Sequence, residues 1–169
     1  SGAYVAAATI GKTVLALPAA AVSIAYPRLV AGWVDRVGFS ALKSALIVVG
    51  APALAVAAVV AVVPGLVLGV LYGFGTYDDA ISVTRVLALV AGLNAFVSVL
   101  THAGLARTAR SQWLPWVGSV VQITLILLWH DSGTVIAACS AVSAVLVVIA
   151  LAAVEVPAWL RRSRTVSAE

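Results

Sequence analysis

The sequence has little charge, one cysteine and no methionine. Only 9% of its 169 residues are charged, against about 25% in an ordinary soluble domain. A soluble fold of this size cannot hide a chain that is 63% hydrophobic with a mean hydropathy of +1.16, because a large share of any small domain must face water. The single cysteine, Cys139, excludes an internal disulfide framework. These shortages exclude a soluble domain and indicate a protein embedded in lipid.

The sequence also lacks the motifs of the common catalytic and metal sites. It contains no nucleophile elbow, no P-loop, and no pair of acids within a hydrophobic segment that could act as acid and base. Neither His102 nor His130 has a second ligand at metal-binding spacing. The net charge of +4 does not indicate nucleic-acid binding, because the basic residues are spread among hydrophobic segments. We therefore expect neither an enzyme, nor a metalloprotein, nor a nucleic-acid-binding protein.

Five hydrophobic segments are long enough to cross about 30 Å of hydrocarbon as helices, which takes about 20 residues each. They cover residues 3–27, 44–71, 80–104, 114–130 and 134–154. None alternates strictly, and each is far longer than a barrel strand. The sequence therefore predicts an all-α, polytopic membrane bundle of about five helices in residues 1–155, followed by a basic cytoplasmic tail at 156–169. Residues 29–43 are expected to form a short interfacial helix or loop, and Pro18, Pro52 and Pro64 predict kinked or broken helices.

Charge alternates along the connections between these segments. Basic residues occupy the first and third connections and the tail, namely Arg28, Arg36, Lys43, Arg107, Arg110, Arg161, Arg162 and Arg164. The second and fourth connections hold Asp78, Asp79 and Asp131 and no basic residue. By the positive-inside rule, the chain enters its first helix from outside and ends in the cytoplasm. An odd number of helices starting outside, without an initiator methionine, predicts that further chain lies upstream.

Lys12 is the first candidate for a functional residue. It lies about 14 Å from the outer end of the first span at 1.5 Å per residue. A cation at that depth costs about 2.5–3.5 kcal/mol on insertion scales, so it normally faces a cavity or a partner. On a helical wheel Thr9, Ser23 and several alanines share its side, while larger aliphatic side chains take the other. This stripe predicts a watery cavity wall with Lys12, Thr9 and Ser23 as substrate-binding candidates; the alternative is that Lys12 snorkels to the interface.

The third and fourth spans add polar residues of less defined role. Asn94 shares a helix face with two hydroxyl residues, a pattern typical of interhelical hydrogen bonding as well as of a binding site. Arg85 lies near the outer end of the same span and about 180° from Asn94. A substrate contact by Arg85 competes with snorkelling or with an ion pair to Asp78 or Asp79. Gln122, in the middle of the fourth span, is expected to form a hydrogen bond between helices.

The first span carries the most recognisable pattern in the chain. It reads Gly2-Ala3-Tyr4-Val5-Ala6-Ala7-Ala8-Thr9-Ile10-Gly11-Lys12, then Leu17-Pro18, then Tyr26-Pro27-Arg28. This pattern resembles a helix in the C-terminal half of bacterial polysaccharide flippases, which belong to the multidrug/oligosaccharidyl-lipid/polysaccharide exporter superfamily. The remaining order is similar along nearly the whole chain: a basic loop, a long proline-containing helix, an acidic outer loop, three helices and a short basic tail.

Flippases of this family have two six-helix lobes around a central cavity. The resemblance therefore implies that this chain supplies helices eight to twelve of a larger transporter, with the N-terminal lobe of the same protein as its partner. It implies movement of an undecaprenyl-pyrophosphate-linked glycan across the bacterial inner membrane by alternating access, without a cofactor. Lys12 occupies the family's basic position and would face the pyrophosphate, where a cation offsets the charge of the headgroup. Coupling to an ion gradient stays open.

Two other functions compete with the flippase hypothesis. A multidrug antiporter of the same superfamily would usually place a cation-sensing carboxylate within a span, and the predicted spans hold none. A structural or assembly membrane protein without a transport path would lack the Lys12 stripe or turn it towards lipid. The antiporter hypothesis then requires such a carboxylate in the missing lobe, and the direction of the Lys12 stripe separates a transporter from a structural protein.

Overall fold

The computed structural model describes residues 2–35, 38–75 and 78–166, without the side chains of residues 2–4, 6, 11, 13–20, 78 and 164–166. These residues form seven α-helices and no strand: α1 Gly2–Val34, α2 Phe39–Ala45, α3 Ala51–Val62, α4 Pro64–Tyr72, α5 Ile81–Ala106, α6 Leu114–Leu128 and α7 Gly133–Val166. A π-helical segment, Leu46–Gly50, joins α2 to α3, and short 3₁₀ turns precede α5 and α6. Arg36 and residues 167–169, which the sequence assigns to basic connections, lie outside the described residues.

Within the part of the chain that the structure describes, four helical stretches are long and apolar enough to cross a membrane. They are Phe39–Val62, Ile81–Ala106, Arg110–Leu128 and Gly133–Ser163. A shorter apolar stretch, Ala21–Val34, belongs to α1, a helix of 33 residues in all. The prediction of an all-α membrane bundle of about five helices is confirmed.

Two prolines lie at irregular points of the second span, and the helix breaks at the second of them, Pro64. Pro52 lies in the first turn of α3 and has no backbone N–H to donate to the preceding turn. The preceding turn, Leu46–Gly50, is π-helical. Pro64 begins α4 after a break at Val63, whose φ of −121° and ψ of 50° are not helical. The second span therefore consists of a continuous helical stretch up to Val62 and a separate short helix, α4.

Helix α5 is the centre of the bundle and packs against α1, α3 and α7. Its buried face is made largely of small residues, including Ala88, Ala91 and Gly92, which let neighbouring backbones approach closely. Helices α5 and α3 approach each other closely at Gly92, where an added Cβ would lie 2.8 Å from Cβ of Ala57. These small side chains explain how a bundle with few large buried residues still packs tightly.

Helix α6 packs chiefly on α7 and exposes most of its surface. The two helices touch at Gly118, because an added Cβ there would collide with Cγ2 of Val147. Ser143 Oγ reinforces this contact by donating a hydrogen bond to the Gly118 carbonyl over 2.8 Å. On the opposite side of α6, Trp116 and Leu127 are exposed. The α6–α7 pair thus forms one wall beside the α1–α5 pair, with a cleft between them.

Two helix boundaries differ from those expected from the sequence. Residues 29–43 are not a separate interfacial element, because α1 continues to Val34 and α2 begins at Phe39. The last helix does not end near residue 154 but continues through Pro157 to Val166. Trp159 lies on this extension and is completely buried. The packing of Trp159 stabilises the helical turns after residue 154. A search for uninterrupted apolar residues ends before these turns, because they contain charged residues and a proline.

Candidate functional site

A polar cleft lies between α1, α5, α6 and α7. Its volume is about 340 Å³, and each of the four helices contributes at least one polar side chain to its lining. The polar lining consists of Lys12, Asn94, Ser119, Gln122, Ser140 and Ser143. Leucine, valine, alanine, glycine and proline complete the wall. Such a mixture of apolar surface and a few convergent polar groups is typical of a ligand site.

Lys12 brings the only full charge to the described lining of this cleft. Ala8, one turn before it on α1, lines the same wall, as the i, i+4 geometry of a helix requires. The Lys12 side chain is exposed to the cleft. Among the described residues, no carboxylate forms an ion pair with it. An anionic ligand could therefore bind the ammonium group without displacing a carboxylate of the described residues.

Asn94 and Gln122 carry the two amides of the cleft, from α5 and α6 respectively. Asn94 was predicted as a site residue, and the packing of α1 on α5 brings it into the same cleft as Lys12. Gln122 donates from Nε2 to Ser140 Oγ on α7 over 2.9 Å, which is the interhelical hydrogen bond expected from the sequence. The sequence analysis did not predict that Gln122 lines the cleft. A single amide in the middle of a span was the feature that could have indicated it.

Thr9 and Ser23, predicted to share a wall with Lys12, are not among the residues that line the cleft. Thr9 donates to the Val5 carbonyl of its own helix over 2.8 Å. Ser23 lies on α1 about 16 Å along the helix axis from Lys12 at 1.5 Å per residue. The helical wheel groups all three residues by angle alone, whereas among the described side chains of α1 the cleft is lined by Ala8 and Lys12.

Arg85 is also outside the cleft lining. Its Nε donates a hydrogen bond to the Ala61 carbonyl over 3.0 Å. Ala61 lies in the last turn of α3 before Pro64, where carbonyl groups lose their intrahelical partners. Arg85 thus satisfies a carbonyl freed at the break in the second span. Of its predicted acidic partners, the Asp78 side chain lies outside the described residues.

The structure reveals a buried carboxylate that the sequence analysis missed. Glu155 is completely buried on α7 and falls inside the candidate span Gly133–Ser163, so the expectation of no carboxylate within a span is wrong. Ser111 Oγ donates to its Oε1 over 2.5 Å, and Arg107 Nε lies 3.4 Å from its Oε2. The Arg107 contact has the distance of an ion pair but not the geometry of a hydrogen bond. The signal in the sequence was a single acid between apolar residues, with arginines in a neighbouring connection.

An aromatic cluster completes this end of the bundle. The rings of Trp33 and Trp159 pack edge to face with their centroids 5.2 Å apart. The guanidinium groups of Arg107 and Arg162 lie 5.7 Å and 5.2 Å from the centroid of Trp33, within the range of cation–π attraction.

A hydrogen bond joins α7 to the start of α2 at the same end of the bundle, where Ser163 Oγ accepts from the Phe39 N–H over 3.0 Å. Residues of the first and third connections and of the tail therefore meet at one end of the bundle.

The described residues contain no group of three His, Cys, Asp or Glu side chains that could hold a metal ion. Comparison of the chain with protein-family models, with curated proteins and with solved structures gives no match. The flippase resemblance of the first span therefore stays a prediction. What the fold and the site establish is a helical, membrane-embedded chain that carries a polar cleft with a single lysine.

Proposed function

We propose that this chain is part of a bacterial inner-membrane transporter that flips an undecaprenyl-pyrophosphate-linked oligosaccharide by alternating access. In this proposal the chain is the C-terminal part of the transporter, and a second lobe of the same protein faces it. The cleft between α1, α5, α6 and α7 belongs to the substrate path. The C-terminal end of α7 lies in the cytoplasm, on the side of the basic connections.

The position of Lys12 in the cleft is the observation that carries this proposal. In an apolar bundle, a lysine beside lipid alone is costly, and a lysine beside a polar cavity can contact a charged solute. Lys12 lines the cleft without a described carboxylate partner. A pyrophosphate group is the anionic part of the proposed substrate, and its oxygens accept charge-assisted hydrogen bonds from an ammonium group.

The uncharged polar groups of the cleft suit the sugar part of such a substrate. Asn94 and Gln122 present amides, which both donate and accept hydrogen bonds. Ser119 adds a hydroxyl from α6, although its proton is donated to the Pro115 carbonyl over 3.0 Å. Hydroxyl-rich ligands need this kind of mixed donor and acceptor lining, whereas an apolar drug does not.

The position of Glu155 within a candidate span favours the competing multidrug antiporter, because such transporters use a carboxylate within a span. Two features argue against that role. Glu155 is already engaged by Ser111 and Arg107, and it is not among the residues that line the cleft. A structural or assembly protein would require Lys12 to serve no ligand, which the following experiment tests.

The test is complementation of a bacterial strain that lacks its own flippase, using the full-length parent protein. Surface glycan is measured by lectin or antibody binding, and protein level by immunoblot. We expect Lys12→Ala to reduce export without lowering protein level, because removing the charge also removes its insertion cost. Lys12→Arg should retain part of the activity, and Lys12→Glu should be worse than alanine, because it opposes the anionic headgroup.

Lys43 provides the matched control for this series. It is an exposed lysine on α2, and neither the cleft nor a described ion pair involves it. Lys43→Ala should export glycan as the parent does. Equal export by the alanine, glutamate and lysine forms at position 12 would reject the proposal and leave Lys12 as a snorkelling residue.

A further inference from the structure

A second groove lies between α1 and α2, on a part of the bundle that shares no lining residue with the polar cleft. The two helices touch near the turn that joins them, because an added Cβ on Gly32 would collide with Cβ of Ala41. Away from this contact they enclose a groove of about 320 Å³. The groove therefore begins beside this contact and extends along α1 from Arg28 to Ala21.

The lining of this groove changes from polar to apolar along its length. Arg28 lies one turn from Gly32 on α1, and Ser40 and Ser44 flank the contact on α2. Farther from the turn the lining consists of alanines, Ile24 and Val48. The polar end and the far apolar end are separated by about 10 Å, the rise of seven helical residues. An amphipathic ligand would fit this order with its polar group at the turn.

The charge at the polar end of the groove is positive. Arg28 is exposed, and no carboxylate in the described ranges pairs with it. Lys43 on α2 is exposed as well and unpaired among those residues, but it does not line the groove. A guanidinium group presents a planar fork of donors that matches the oxygens of a phosphate. The complementary ligand therefore combines one phosphate-type anion with an apolar chain.

We propose that the α1–α2 groove binds one anionic phospholipid of the surrounding membrane. The Arg28 guanidinium holds the phosphodiester, the hydroxyls of Ser40 and Ser44 contact the headgroup, and the first part of an acyl chain lies between Ile24 and Val48. Clusters of cationic side chains next to membrane helices commonly recognise anionic lipid headgroups. This proposal does not depend on the proposed transport function, because the groove and the Lys12 cleft are separate.

The test is native mass spectrometry of the purified chain with equal amounts of dioleoyl phosphatidylglycerol and dioleoyl phosphatidylcholine in the detergent. The two lipids carry the same acyl chains, so their bound ratio measures recognition of the headgroup. We expect the chain to retain one phosphatidylglycerol in preference to phosphatidylcholine. Arg28→Gln should reduce bound phosphatidylglycerol about tenfold, as expected for the loss of a charge-assisted contact.

Two further variants distinguish a groove from a diffuse basic surface. Lys43→Gln removes an equal charge outside the groove lining and should change binding by about twofold or less, in keeping with the small contributions of exposed charges. Ser44→Phe fills the groove from its exposed side and should abolish retention of both lipids, while the helical circular dichroism and its thermal midpoint stay unchanged. Equal retention of the two lipids by the parent chain, or equal losses in Arg28→Gln and Lys43→Gln, would overturn the proposal.

Discussion

Glu155 and Arg107 form an ion pair between α7 and the residue that follows α5, with 3.4 Å between Oε2 and Nε. The Glu155 side chain has no exposed surface, and that of Arg107 is 15% exposed. Removing such a carboxylate from water costs several kcal/mol, and its partner must stay in place to offset that cost. With Ser111 on the second oxygen, the pair fixes the connection from α5 to α6 against α7.

We expect Arg107→Ala to lower the free energy of unfolding by about 3–5 kcal/mol, because it leaves a buried charge without its counter-ion. The double variant Arg107→Gln, Glu155→Gln should lose less than the sum of the two single variants. Unfolding by sodium dodecyl sulfate in mixed micelles, followed by circular dichroism, measures these differences. Arg110→Ala is the control: Arg110 is exposed, no described ion pair involves it, and its loss should cost about 0.5 kcal/mol or less. Equal costs at 107 and 110 would show that the pair contributes nothing.

Gly92→Ala should destabilise the bundle. An added Cβ at position 92 would lie 2.8 Å from Cβ of the completely buried Ala57, so α3 and α5 must separate. Overpacking of this kind costs about 1–3 kcal/mol. At Gly65 the nearest atom to an added Cβ is Ile81 Cδ1 at 3.5 Å, an ordinary contact, so Gly65→Ala should not destabilise. Thermal unfolding in detergent compares the two, and equal shifts would mean that the α3–α5 approach is looser than described.

The proposed topology places the acidic connections outside the cell and the basic ones inside. Once the buried Cys139 is replaced by serine, single cysteines at the exposed positions Asp79 and Ser132 should react with an impermeant thiol reagent in intact cells. Cysteines at the exposed positions Arg110 and Arg161 should react only after the membrane is opened. The opposite labelling pattern would reverse the orientation and remove the basis for assigning this chain to helices eight to twelve.

The spans were predictable because hydrophobic length alone decides them. Five apolar segments predicted the helical bundle, and Pro64 predicted the break that separates α3 from α4. The extension of α7 beyond residue 154 was not predictable from the same pattern. It depends on Trp159 packing against Trp33 from a distant part of the chain, and a local pattern contains no information about that partner.

The candidate site was predictable only in part, for a similar reason. The cost of a mid-span cation identified Lys12, and a polar face identified Asn94. The wheel could not separate Lys12 from Thr9 or Ser23, since which arc of α1 faces a cavity depends on how α5 and α7 pack against it. Glu155 was missed because the predicted fifth span ends at residue 154, and because its partners come from the distant connection between α5 and α6.

We propose that the cleft at Lys12 holds the pyrophosphate of a lipid-linked glycan. The most direct measurement is the Kd of the full-length parent for undecaprenyl pyrophosphate, titrated in nanodiscs made only of phosphatidylcholine so that other anionic lipids do not compete. We expect Lys12→Ala to weaken binding about 10- to 100-fold, the range for losing a hydrogen bond to a charged group, and Lys12→Glu to weaken it further. Lys43→Ala should bind as the parent does. Equal Kd values for the parent, Lys12→Ala and Lys12→Glu would show that Lys12 does not bind the pyrophosphate.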